Sequence, residues 1–193
     1  MTGSFDIESL KQRLNPESSV AGSESSNEPV AAVAIIIDPN RSGPLVLLIR
    51  RRDREGDPWS GQIAFPGGHK STKDQTLLQS AIREASEEIG IDLHEHELLG
   101  VLPLVYSHTR RMPVAPFVFQ LRSNVAVRLN DEVAESFWVP LSELLKIRST
   151  TSQVQVERGK LNVDCYIYDE HVIWGLTFRI INILLNKPQP NNS

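Results

Sequence analysis

Residues 65–92, FPGGHKSTKDQTLLQSAIREASEEIGID, constrain the fold more than any other part of the chain. Apolar side chains recur there at helical spacing, which predicts a helix from about Asp74 to Ile89. Its apolar positions are Leu77, Leu78, Ala81, Ile82, Ala85 and Ile89. Asp74 is predicted to cap the start of this helix. Gly90 is predicted to end it, because glycine tolerates a positive φ angle.

The same helix carries three carboxylates on the face opposite its apolar positions. Glu87 and Glu88 follow Glu84 at i+3 and i+4, and such like charges repel by roughly 0.2–0.5 kcal/mol per pair. A solvated acidic surface is one interpretation. Gly67-Gly68 favours another, because a backbone without side chains can approach a ligand and direct carbonyl groups at a cation. Hard divalent cations such as Mg²⁺ prefer oxygen ligands of this kind.

Apolar runs and turn signals predict the remaining elements. Two β-branched or leucine-rich runs, 31–38 and 44–51, flank PNRSG and resemble a hairpin. Further strands are predicted at 97–104, 114–121 and 136–139, helices at 140–147 and 174–186, and a hairpin that turns at Arg158-Gly159. Mixed strands around two or three helices predict an α/β fold, with the elements arranged as a sandwich.

The first 29 residues are predicted to stand apart from this domain. Residues 5–14 can form a short helix with its apolar residues on one side, and residues 15–29 have the composition of a flexible linker. The domain is then expected to span 30–187, followed by a disordered tail at 188–193. The apolar N-terminal helix suits docking on this or a neighbouring subunit, which makes a homodimer a candidate assembly.

Composition excludes several classes of protein. Cys165 is the single cysteine, so no internal disulfide can form and a reducing compartment is favoured. No apolar run approaches the ~20 residues that a membrane span needs, and the N-terminus has no apolar signal core. A net charge of −4 disfavours nucleic acid as the partner. A cytoplasmic protein that binds neither membrane nor nucleic acid is predicted.

The region from Gly68 to Ile91 resembles the Nudix box, Gly-x5-Glu-x7-Arg-Glu-U-x-Glu-Glu-x-Gly-U, where U is aliphatic. The second half matches from Arg83 to Ile91. The first half departs from the pattern, because Asp74 stands at the first glutamate position and eight residues separate it from Arg83. The resemblance implies a Nudix-type α/β/α sandwich with a mixed β-sheet, spanning roughly residues 30–186.

The departure is itself similar to the coenzyme A diphosphatase branch of the family, which has an aspartate and one extra residue there. That branch also has an upstream Leu-Leu-x-x-Arg and a Gly-x3-Phe-Pro-Gly-Gly, which resemble 48–52 and 61–68 here. Its intervening arginine falls on Asp57, so this part of the match is incomplete. The segment HVIWGLTFRIINILL resembles the closing helix of the branch.

The resemblance implies hydrolysis of a diphosphate linkage with Mg²⁺ or Mn²⁺ as cofactor. Glu84 and Glu88 are the first candidate metal ligands, and Glu87 is a third ligand or orients the attacking water. The backbone carbonyl of Gly68, or that of Gly67, is a candidate to complete the metal shell. Arg83 is expected to hold the helix of glutamates by pairing with a carboxylate, or else to contact substrate.

Less of the substrate site follows from the sequence. A remote glutamate often serves as base in this family, and Glu132 and Glu135 are both candidates, with a solvent-facing role as the alternative. The basic stretches 50–54 and 107–113 could hold phosphates, through Arg50, Arg52, Arg110 and Arg111. The expected substrate is coenzyme A or a thioester of it. ADP-ribose, a dinucleotide or an oxidised nucleotide is the alternative, and a catalytically silent ligand sensor is a further one.

Overall fold

The computed structural model describes residues 5–20, 30–39, 42–57, 59–107, 112–156 and 159–188. Within these residues, eight strands form the main sheet: β1 (Ala31–Asp38), β2 (Leu45–Arg51), β3 (Ile63–Ala64), β4 (Gly67–His69), β5 (Glu97–Val101), β6 (Val105–Tyr106), β7 (Pro113–Gln120) and β8 (Val133–Pro140). A second sheet contains β9 (Thr150–Val156), β10 (Gly159–Tyr168) and β11 (His171–Trp174). The helices are α1 (Ile7–Lys11), α2 (Leu77–Ile89), α3 (Leu141–Lys146) and α4 (Gly175–Leu184).

The main sheet is mixed. Its strands follow the order β3-β2-β1-β7-β5, while β4 pairs with β1, β6 with β7 and β8 with β2. β1 runs parallel to β7 and antiparallel to β2 and β4. β1 therefore lies inside the sheet, which agrees with its nearly continuous apolar sequence.

Side chains alternate across β1 into two separate cores. Ile35 and Ile37 pack in a core with residues of α1, α3 and α4. Ala34 and Ile36 pack in the other core with the apolar side of α2. Helices thus cover both faces of the sheet, and the predicted α/β/α sandwich with a mixed sheet is confirmed.

Helix α2 begins later than the sequence predicts. Its N-cap is Thr76, whose side chain accepts a hydrogen bond from the Gln79 backbone N–H, so the prediction of Asp74 as N-cap is wrong. The Asp74 carboxylate is instead buried and accepts hydrogen bonds from the side chains of Ser80 and Arg83. The helix ends at Gly90 with φ at 69°, as the sequence predicts.

Other boundaries differ by a few residues. The predicted strand at 97–104 ends earlier, with β5 at Val101, and Pro103, which has no N–H for a ladder, lies in the break before β6. The predicted strand at 136–139 is longer and forms β8. The β9–β10 hairpin is present, although Arg158 of its predicted turn lies outside the described residues.

The N-terminal segment packs on its own chain. α1 is shorter than the predicted 5–14 helix, and Phe5 and Leu10 are buried in the same core as α4. Residues 15–20 differ from the predicted flexible linker: Asn15 forms a β-bridge with Val101, and Val20 is buried beside α2. Apolar contact and backbone hydrogen bonding hold this part against the domain. Residues 21–29 and 189–193 lie outside the described residues.

Among the residues that the structure describes, no helix is both long and apolar enough to span a membrane.

Candidate active site

The Gly-Gly turn lies directly against β1. Gly67 and Gly68 pair with Val33 and Ala32 at the start of β4. A Cβ atom added to Gly67 would lie 2.3 Å from the Ala32 carbonyl oxygen, and its φ is +154°. Only glycine therefore allows the chain to approach β1 this closely.

The same turn contacts two glutamates of α2. The Gly67 N–H donates a hydrogen bond of 2.9 Å to Oε2 of Glu88. A Cβ atom added to Gly68 would lie 2.6 Å from Oε1 of Glu84, so the missing side chain leaves the space that this carboxylate occupies. The backbone of the turn therefore lies directly against both carboxylates.

Glu84 and Glu88 are carboxylates in an unfavourable environment. Glu88 is 2% exposed, and burial raises its pKa to about 7, with the charges of Glu84 and Glu132 adding to the rise. Burial also raises the pKa of Glu84, where the charges of Glu87 and Glu132 contribute and Arg83 opposes them. A bound cation would remove this unfavourable electrostatic free energy.

Glu87 lies differently from its two neighbours. Its side chain is 57% exposed and pairs with Nη1 of Arg83 at 2.9 Å. Glu84, Glu87 and Glu88 do not bring one oxygen each within 4.8 Å of one another. The sequence placed all three on one face of the helix, but the structure directs two of them to the Gly-Gly turn.

Arg83 connects the two halves of the motif. Its Nε and Nη2 donate to Asp74 at 3.0 Å each, and its Nη1 lies 2.9 Å from Glu84. The hydrogen bonds from the Arg83 guanidinium are the main reason why the pKa of Asp74 is lowered to about 2. Asp74 in turn raises the pKa of Arg83. These contacts agree with Arg83 as the residue that holds the helix of glutamates, which stays a prediction of its role.

The donor set fits a hard divalent cation. The buried Glu88 and the partly buried Glu84 lie next to the backbone of Gly67 and Gly68. The charge of a further carboxylate, Glu132, acts on both. Mg²⁺ and Mn²⁺ prefer such oxygen ligands. Glu84, Glu88 and the Gly68 carbonyl group are the residues that would hold such an ion.

The structure separates the two candidate bases. The loop that bears Glu132 docks on the end of α2, where the Asn130 N–H donates to the Glu88 carbonyl oxygen at 3.1 Å. Glu132 also pairs with Arg54 at 3.4 Å. Glu135 contacts Arg50 and His171 instead. Glu132 therefore lies on the side of the carboxylates of α2.

The predicted phosphate-binding arginines are engaged elsewhere or lie outside the described residues. Nε of Arg50 lies 3.2 Å from Glu135, and Nη2 of Arg52 donates to the Val133 carbonyl oxygen at 3.2 Å. Arg110 and Arg111 are among the residues that the structure does not describe. The structure therefore brings neither Arg50 nor Arg52 into a described contact with Glu84 or Glu88.

Arg51 is the residue that the sequence reasoning missed. Its charge lowers the pKa of Glu88. Its Nη2 donates to Asp57 at 3.1 Å, while its buried Nε has no hydrogen-bond partner in the described parts of the chain. Strand alternation could have found it, because Arg51 shares its side of β2 with Leu47 and Ile49, which pack in the core of α2. Asp57, the position of the branch's intervening arginine, is thus the partner of Arg51.

Replacing Asp74 by Asn is expected to destabilise the protein in a pH-dependent way. The pKa of Asp74 is lowered from 3.8 to about 2, so its charge stabilises the fold fully above about pH 4 and loses this effect as pH falls toward 2. Urea unfolding should show a deficit of about 2 kcal/mol at pH 6 that shrinks at acid pH.

Thr76→Ala is the matched control for this experiment. It removes a cap at the same helix end without a titrating group, so its cost of about 1 kcal/mol should not vary with pH. A deficit of the Asp74→Asn variant that stays constant between pH 6 and pH 2.5 would contradict the assigned ion pair.

Comparison with known proteins identifies the family to which this chain belongs. The family model described as NUDIX domain matches residues 27–157. A relative from Yersinia enterocolitica, named "Uncharacterized Nudix hydrolase NudL", is 38% identical over 169 residues, which cover 86% of this chain and 85% of the relative. A relative of the same name from Citrobacter koseri is 36% identical, with 93% and 91% covered.

Solved structures agree on the fold. An Ap4A hydrolase from C. elegans in a binary complex has a TM-score of 0.51 at 21% identity, covering 60% of this chain and 83% of that one. A MutT/nudix family protein from Enterococcus faecalis has a TM-score of 0.51 at 16% identity, covering 94% and 73%. The sequence relatives and the matched domain together show that the chain belongs to the Nudix family and is a hydrolase of the pyrophosphatase type.

Proposed function

We propose that this protein hydrolyses the diphosphate linkage of coenzyme A or of a coenzyme A thioester, with Mg²⁺ or Mn²⁺ as cofactor. Water adds across one P–O–P bridge, so the products are 3′,5′-ADP and 4′-phosphopantetheine or its acylated form. The observation that carries the hydrolytic part is the contact of the buried Glu88 and the partly buried Glu84 with Gly67-Gly68. Both carboxylates have raised pKa values there, as expected for ligands that await a cation.

Each residue of the site has a proposed task. Glu84, Glu88 and the Gly68 carbonyl group would hold the ion, which on binding neutralises diphosphate charge and lowers the pKa of water. Arg83 fixes the Glu84 carboxylate, and Asp74 fixes Arg83. Arg83 is thus a positioning residue. Glu87 is exposed enough to orient the attacking water or to add a ligand after a rotamer change.

Two further residues complete the proposed mechanism. Glu132 is the preferred general base because its loop docks on the end of α2 and its charge acts on both Glu84 and Glu88. Glu135 is held by Arg50 and is the second candidate. Arg51 is proposed to contact a substrate phosphate. Its buried Nε–H has no hydrogen-bond partner among the described residues, and its charge lowers the pKa of Glu88.

The choice of coenzyme A rests on the sequence of the segment that builds the site. The Gly61–Gly68 pattern of the branch forms β3 and β4, and the closing segment forms β11 and α4. A catalytically silent sensor is disfavoured because all three glutamates of the motif are present and two of them, Glu84 and Glu88, contact the turn. A homodimer and a cytoplasmic location stay predictions; the side of α1 that suggested a neighbouring subunit packs on its own chain.

A substrate panel with Mg²⁺ and with Mn²⁺ tests the proposed specificity. Coenzyme A and acetyl-coenzyme A should be cleaved to 3′,5′-ADP with a higher kcat/KM than ADP-ribose, diadenosine polyphosphates or 8-oxo-dGTP. Product identification by mass spectrometry checks the position of cleavage. Turnover of ADP-ribose or a dinucleotide with coenzyme A left intact would reject the coenzyme A assignment and retain the Nudix activity.

Replacing Glu84 by Gln tests the proposed metal site on whichever substrate proves best. Loss of a residue that hydrogen-bonds to a metal ligand typically lowers metal affinity or activity about 10–100-fold. Loss of a ligand itself should therefore lower kcat by more than about 100-fold. The Glu87→Gln variant is the matched control. It should lose less activity, because the exposed Glu87 side chain lies farther from the Gly-Gly turn. Equal activity of Glu84→Gln and wild type, with an intact circular dichroism spectrum, would reject Glu84 as a ligand.

A further inference from the structure

A second group of potential metal ligands lies away from the glutamates of α2. Glu135 of β8 meets Glu170 and His171 at the start of β11, and one ligand atom from each lies within 4.8 Å of the others. Glu135 is on the face of the sheet that carries Phe137, which packs against the core of α4 and not that of α2. We propose that these three side chains form a binding site for a transition-metal ion of the Zn²⁺ class.

The spacing of His171 and Glu135 suits a shared ion better than a direct hydrogen bond. Nε2 of His171 lies 3.5 Å from Oε1 of Glu135. Good hydrogen bonds between nitrogen and oxygen are about 2.7–3.2 Å long. Two ligands at about 2.0–2.2 Å from a tetrahedral zinc ion are about 3.4 Å apart. The observed separation therefore matches two positions of such a coordination shell.

Packing holds the imidazole of His171 in this orientation. Its side chain is 9% exposed, and its ring stacks on Phe137 with centroids 4.0 Å apart and an interplanar angle of 14°. A nitrogen ligand on a ring held in this way loses little conformational entropy on binding. Imidazole also determines the kind of ion, because nitrogen ligands suit Zn²⁺ whereas all-oxygen sites suit Mg²⁺.

Arg50 orients the carboxylate of Glu135 from the other side. Its Nε lies 3.2 Å from Oε2 of Glu135, while Oε1 faces His171. Such outer-shell hydrogen bonds are typical of ligating carboxylates. With neutral His171, the charges of Glu135, Glu170 and Arg50 sum to about −1, so the group attracts a divalent cation less strongly than an all-carboxylate site. This favours an ion that gains from nitrogen ligation.

A cavity gives an ion access to two of the three ligands, Glu170 and His171. Its volume is about 260 Å³, and its lining includes Arg50, Glu170, His171 and Trp174. The exposed Glu170 can move its carboxylate inward as an ion binds, and water can fill a fourth position from the cavity. The ion would tie the second sheet, through Glu170 and His171, to β8 of the main sheet.

Metal titration of the full-length chain tests this site independently of hydrolysis. The Glu84→Gln/Glu88→Gln double variant removes the proposed site on α2, and wild type with excess Mg²⁺ provides the same background without substitution. Co²⁺ should give a visible absorption band of tetrahedral or five-coordinate type at about one equivalent, and Zn²⁺ should displace it and raise Tm.

Single variants in these backgrounds then decide the assignment. The exposed Glu170→Gln should fold normally and lower Co²⁺ affinity by at least about tenfold. His171→Asn should abolish the band, whereas His94→Asn, at an exposed histidine of the short helix Leu93–Glu95, should leave it unchanged. If His171→Asn fails to fold, Glu170→Gln alone decides. No band in either background, or a band unaffected by Glu170→Gln, would overturn the proposal.

Discussion

The close approach of the Gly67-Gly68 backbone to Glu84 and Glu88 determines how the rest of the site is arranged. Burial raises the pKa of both carboxylates, so the free protein carries unfavourable electrostatic free energy at this point. The packing of α2 on β1 and the pairing of β4 with β1 offset it. A cation bound there would release this free energy, so the proposed metal site would need no dedicated cage of side chains.

Ion pairs of Arg83 hold the two halves of the motif together. Arg83 joins Asp74, Glu84 and Glu87, so the aspartate that departs from the family pattern still meets the arginine despite the extra residue between them. Asp74 also accepts a hydrogen bond from the Ser71 N–H, which ties the loop before α2 to the same point. An ion-paired network of this kind fixes the Glu84 side chain before substrate arrives, which reduces the entropy lost on metal binding.

Local patterns in the sequence predict the sandwich, the presence of α2 and its end at Gly90, because periodicity reports which side of an element is buried. They fail where a contact is distant in sequence. Asp74 has the right chemistry for a cap, but Arg83 binds it and Thr76 takes that place. Charge alone does not distinguish Arg51 from Arg50 and Arg52, because it does not show on which side of β2 an arginine lies. The approach of His171 to Glu135 depends on how the second sheet docks, which no local pattern encodes.

The most direct test of the proposed site at Glu84 and Glu88 is the pKa of Glu88, measured by ¹³C NMR of the labelled side chain with and without Mg²⁺. In metal-free protein the pKa should lie near 7, as burial and the neighbouring carboxylates require. Saturating Mg²⁺ should lower it well below its ordinary value, because the ion favours the charged form. A pKa near 4.5 that Mg²⁺ leaves unchanged would contradict a metal site at the Gly-Gly turn.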